Sequence, residues 1–83
     1  PQWSDLGMFL QTVMLLLRAE GWDSCAQESW STFPHTVGEF LGLPDDRMLF
    51  CGMAVGQANP DHPVNALRAS RAPLEEFVRF HDV

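Results

Sequence analysis

Arg68 and Arg71 stand three positions apart in Arg68-Ala69-Ser70-Arg71, and they are two of only five cations in a chain that carries eleven carboxylates. Guanidinium forks on either side of a serine hydroxyl can hold a phosphate through charge-assisted hydrogen bonds. The same residues also suit a plainer role as solvated arginines, or as partners of Glu75 and Glu76 in surface ion pairs that contribute little. Other chemistries find less support. His35, His62 and His81 fall at a helix start, in a proline-rich loop and in the C-terminal tail, without the H-x-x-x-H or H-x-x-E spacing that sets ligands on one helix face, so no metal site is expected. Nothing near Cys25 fixes a thiolate pair, and no serine sits in G-x-S-x-G, which removes the usual forms of nucleophilic catalysis. Gly52 and Gly56 lie in an apolar run, but the lysine and the downstream helix of a phosphate loop are missing. Trp22 and Trp30, on either side of Glu28, fit the walls of a planar-ligand pocket or a simple interface core.

The elements that position these residues must come from a short chain. Eighty-three residues, 46% of them hydrophobic, form one domain at most, residues 1–83, and are too apolar for intrinsic disorder. With no lysine, a net charge of −6 and a pI near 4.7, the footprint of a nucleic-acid or anionic-membrane binder is absent. The longest apolar run, Val13 to Leu17, is far short of a membrane span, and no basic segment precedes it; a soluble, cytoplasmic protein is expected. Cys25 and Cys51 are too few and too far apart for a disulfide framework and are expected as free thiols. A core this small offsets the entropy of ordering the chain only narrowly, so help from a partner subunit or a cofactor is expected. The chain starts at Pro1 and reaches a helix-start signal within four residues, the look of a truncated polypeptide.

Ser4 as N-cap, Trp3 stapled onto Met8, and Gly21 as the left-handed stop predict a first helix from about Asp5 to Glu20. Its apolar stripe is widened by Met8 and Leu15, so it asks for cover on more than one face, some of it from another subunit. Gly21 to Trp30 shows no sustained period and reads as a loop. Thr32, Pro34, Val37, Phe40 and Gly42 spell out a short second helix, and Asp45-Asp46 a turn. Met48 to Val55 reads as a strand buried on both faces, the centre of a sheet with no other evident strand. Gln57 to Pro63 is an irregular crossing, Pro73 opens one helical turn, and Phe77 to Phe80 alternates as a terminal edge strand or extension. The sum is an incomplete α/β domain: two helices, one buried central strand and a possible edge strand, completed by oligomerisation.

Five stretches in register resemble one known family. Asp5 to Leu15 (DLGMFLQTVML), Gly21 to Trp30 (GWDSCAQESW), Leu43 to Asp46 (LPDD), Cys51 to Pro60 (CGMAVGQANP) and Pro63 to Pro73 (PVNALRASRAP) look like the C-terminal part of FMN-dependent nitroreductases. The resemblance implies an α+β sandwich that is an intertwined homodimer, with FMN at the subunit interface and NAD(P)H reducing nitroaromatics or quinones in a ping-pong cycle. It implies that Ala26, Gln27, Glu28 and Ser29 run along the isoalloxazine, and that Arg71, with Arg68 one residue off a second cationic position, holds the flavin phosphate. The flavin would carry the hydride chemistry, so no catalytic side chain is required of the protein. The family's N-terminal arginine and serine cluster and its other flavin-contacting segment have no counterpart in these residues, and Ser29 stands where many members have glycine. A non-catalytic remnant that serves as an oligomeric structural module is the alternative.

Overall fold

A computed structural model describes residues 1–82. The first helix, α1, runs Gln2–Ala19, a turn earlier than the capping pattern predicts. Pro1 stands at its N-cap, the Pro1 carbonyl accepting from the Asp5 N–H at 3.0 Å, and no side chain caps the start. Ser4 is therefore inside the first turn, not the cap. Trp3 is not a staple for Met8 either; its ring packs against Phe50, with centroids 5.6 Å apart and planes tilted by 44°. The helix ends as predicted. Gly21 takes φ 83°, the Gly21 N–H donates to the Arg18 carbonyl (3.1 Å) and the Trp22 N–H to the Leu17 carbonyl (2.8 Å), the paired bonds of a Schellman stop. The second helix, α2 (Pro34–Leu41), ends in the same way through Gly42 at φ 64°.

The segment read as a loop contains a strand. β1 (Asp23–Gln27) pairs antiparallel with β2 (Gly52–Gly56), from Asp23 opposite Gly56 to Gln27 opposite Gly52. Asp-Ser-Cys-Ala-Gln carries no alternation of its own; packing against α1 and the ladder to β2 make it a strand, an override of local preference by tertiary context. β2 is correspondingly shorter than the predicted Met48–Val55. Its partner turns away after Gln27 into a 3₁₀ turn, Glu28–Thr32, and Met48 to Cys51 are left without a ladder. Nor is β2 a buried centre: the sheet has two strands, and Ala54 and Val55 are exposed. Past β2 the chain forms 3₁₀ turns at Pro63–Ala66 and Leu74–Glu76, and Phe77 to Phe80 forms an irregular extension, since no strand among the described residues is adjacent to receive its ladder bonds.

The larger departure is energetic. None of the described residues is buried. On α1, Leu6, Leu10, Val13, Met14 and Leu17 are half-buried on one face, while Met8, Phe9, Leu15 and Leu16 on another are each more than 60% exposed. The accessible surface is 7767 Å², where a self-contained monomer of this mass would show about 5,000 Å². The radius of gyration is 17.0 Å, against about 12 Å for a compact chain of this length. The excess surface, roughly 2,800 Å², is well above the ~800 Å² that each partner contributes to a standard interface. The two helices and the two-strand sheet thus leave open far more surface than a self-contained domain of this size does. Replacing Gly21 by alanine is expected to destabilise the protein by about 1–2 kcal/mol, since a Cβ is strained at this φ; equal denaturation midpoints for the two proteins would show the stop to be dispensable.

Candidate functional site

Ala26 and Gln27 close β1, and Glu28 and Ser29 open the 3₁₀ turn that follows. Ala26, Glu28 and Ser29 are exposed and Gln27 is half-buried. No side chain caps the start of the turn, so its first N–H groups remain available to an outside acceptor. The carbonyls are drawn the other way: Ser31 Oγ donates to the Glu28 carbonyl and Thr32 Oγ1 to the Ser29 carbonyl, both at 2.7 Å. The segment therefore presents donors. Glu28 also edges an open groove shared with Trp3, Ser31, Pro34, Met48 and Phe50.

Arg68 and Arg71 lie in the irregular stretch after the Pro63–Ala66 turn, and both are exposed. Arg68 Nη1 donates to the carbonyls of Asn65 (3.1 Å) and Leu67 (3.0 Å), and Arg71 Nη1 to that of Ser70 (2.9 Å). The ion pairs among the described residues are Arg18 with Asp23 and Arg47 with Asp46, so the predicted alternative of pairing with Glu75 and Glu76 is not realised. Each guanidinium keeps unused donors and a full charge, a set that fits a phosphate dianion. No hydrogen bond among the described residues links this pair to Ala26–Ser29, and the two groups stand as separate halves. Trp22 and Trp30 are separated as well, at opposite ends of β1, and do not form a pair around Glu28.

Sequence reasoning missed the residues that fix the sheet. Asp23 Oδ1 accepts from Arg18 Nη1 at 2.6 Å and its Oδ2 from the Ala58 N–H at 2.9 Å, while Gln57 Nε2 donates to the Gly21 carbonyl at 2.9 Å. One carboxylate thereby ties the end of α1, the start of β1 and the exit from β2. Asp23 and Ala58 are far apart in sequence, and no local pattern marks such a bridge.

With this arrangement in hand, comparison with known proteins is direct. The nitroreductase family model matches residues 2–57. A 4-nitrobenzoate reductase of Pseudomonas putida is 40% identical over 78 residues, which are 94% of this chain and 34% of that protein. A chloronitrobenzene nitroreductase of Comamonas testosteroni is 42% identical over 89% of this chain and 33% of its own length. Among solved structures, the FMN- and NADPH-dependent nitroreductase NfnB from sphigopyxis sp. strain HMH superposes with a TM-score of 0.92 at 46% identity, covering all of this chain and 37% of that one. The FMN-dependent NfnB from Mycobacterium smegmatis in complex with NADPH gives a TM-score of 0.85 at 38% identity, over 94% of this chain and 35% of that one. The chain belongs to the nitroreductase family. It spans about a third of the length of the curated relatives it matches.

No helix is long and apolar enough to cross a membrane among the described residues. Cys25 and Cys51 are free thiols. Because Asp23 anchors two partners and Arg18 only one, Asp23→Ala is expected to destabilise the protein more than Arg18→Ala. The difference should be about 1 kcal/mol, with the exposed ion pair itself contributing little; equal losses in urea denaturation would remove the Ala58 bond from this account.

Proposed function

We propose that these residues belong to an FMN-dependent NAD(P)H oxidoreductase that reduces nitroaromatics or quinones in a ping-pong cycle. Residues 1–83 form a single partial domain, the C-terminal part of a nitroreductase-like sandwich. The observation that carries this reading is the superposition at a TM-score of 0.92 on an FMN- and NADPH-dependent nitroreductase, with 46% identity across the whole chain. The donor set is in keeping with it: the Ala26–Ser29 segment has no side-chain cap on its N–H groups, and Arg68 and Arg71 have no carboxylate partner among the described residues.

In this reading Ala26, Gln27, Glu28 and Ser29 bind the flavin ring, and Arg71, assisted by Arg68, holds its phosphate. The hydride chemistry, drawn from NAD(P)H and delivered to the nitro group or quinone, is what FMN supplies when bound. The protein residues orient the ring, donate hydrogen bonds to it and neutralise the phosphate. The exposed face of α1, with Met8, Phe9, Leu15 and Leu16, packs against a second copy of the chain, so the enzyme is a homodimer with the flavin at its interface. The two free thiols suit a reducing, cytoplasmic setting.

Arg71→Ala is expected to weaken FMN binding about tenfold to a hundredfold, the usual contribution of a charge-assisted bond to phosphate, while leaving riboflavin, which has no phosphate, little affected. Fluorescence titration with both flavins reads this out; equal effects on the two would displace Arg71 from the phosphate. Leu16→Glu, which sets a charge on the bare face of α1, is expected to lower the molar mass measured by light scattering and to release flavin with it. A chain that stays oligomeric and takes up no FMN in its unsubstituted form would instead be the non-catalytic module.

A further inference from the structure

The end of the β1–β2 ladder carries an arrangement that neither the family resemblance nor the sheet itself requires. Gln27 and Gly52 are directly opposite. The chain then curls through the 3₁₀ turn and brings Trp30 back over this last rung. The Trp30 indole Nε1 donates to Gln27 Oε1 at 2.9 Å, and its ring lies on Gly52 so closely that a Cβ there would stand 2.8 Å from Cδ1 and 3.3 Å from Nε1. Glycine is thus the residue that admits the ring. An indole has one donor and no acceptor, so its bond to Gln27 fixes which end of the carboxamide it meets. Oε1 is turned to the indole, and the Nε2 amino group, with its two hydrogens, is the end that faces away from it.

Resting on the flavin reading above, we propose that Trp30 is a positioning residue that locks Gln27 as a hydrogen-bond donor toward the flavin ring. Seated on Gly52 and holding Oε1, it prevents the carboxamide from flipping and sets the tilt of the Gln27–Ser29 backbone. Gln27 Nε2 accordingly recognises an acceptor atom, a carbonyl oxygen or an unprotonated ring nitrogen of the isoalloxazine. Gln27 could not by itself select that polarity, because a free carboxamide offers donor and acceptor with equal ease.

The test uses the FMN-loaded protein and two substitutions. Trp30→Phe keeps an aromatic ring over Gly52 and removes the donor; Gln27→Glu keeps an acceptor for the indole and removes the donors to the flavin. Each is expected to weaken FMN and riboflavin alike, by about fivefold for one lost hydrogen bond, and to change the visible circular dichroism of the bound flavin, which a loss of stability alone would not do. This pattern differs from that of Arg71→Ala, which should discriminate between the two flavins, so the ring contact and the phosphate contact fail independently. In the unsubstituted protein, the NMR signal of the Trp30 indole N–H should move when FMN is added. An unmoved indole signal, or affinities of both variants for both flavins within about twofold of the unsubstituted protein, would overturn the proposal. An unsubstituted protein that binds neither flavin would remove the reading on which it rests, and this inference with it.

Discussion

Burial of apolar surface is what this structure needs and does not find within residues 1–82. Hydrophobic burial is the main favourable term in folding, and here the large side chains of α1, α2 and the C-terminal extension lie open, Phe40 at 88% and Phe80 at 73% exposure among them. Several local devices are nonetheless in place: two glycine-terminated helices, a registered two-strand ladder, and side chains that tie distant segments together. Such local order without an interior leaves apolar faces that further surface would have to cover. The family match, at about a third of the relatives' length, agrees with that physical picture.

This also orders the elements of the site. Asp23 holds α1, β1 and the segment after β2 in one register, and β1 delivers Ala26 and Gln27 to the turn where Glu28 and Ser29 expose their N–H groups. At that same end of the strand, Trp30 closes over Gly52, the residue opposite Gln27. A displacement at Asp23 would pass along a five-residue strand to the segment assigned to the flavin. Arg68 and Arg71 are not part of this frame. They hang on an irregular stretch held by bonds to its own carbonyls, and no hydrogen bond among the described residues ties them to Ala26–Ser29.

What could be read in the sequence follows the range of the forces involved. Helix stops depend on one residue and its nearest carbonyls, and Gly21 and Gly42 were legible, as was the short α2 behind Pro34. Strand formation in Asp23–Gln27 depends on a partner that lies beyond α2, and a polar five-residue segment carries no trace of it. The same gap hid the bridge from Asp23 to Ala58 and the seat of Trp30 on Gly52. The terminal segment divides the other way: Phe77 to Phe80 alternates as an edge strand would, but no strand among the described residues lies beside it, and of the two expected forms the extension is the one present. The width of the apolar stripe on α1 was legible because it is a property of one helix, and it pointed to a covering surface that residues 1–82 do not supply.

The most direct test of a site shared between polypeptides is sedimentation of the purified protein with a small excess of FMN, following flavin and protein absorbance together across a range of concentrations. The account predicts one boundary that carries both signals at the mass of two chains, with flavin lost from the boundary as dilution separates them. Flavin sedimenting with a single chain, at undiminished affinity on dilution, would contradict it.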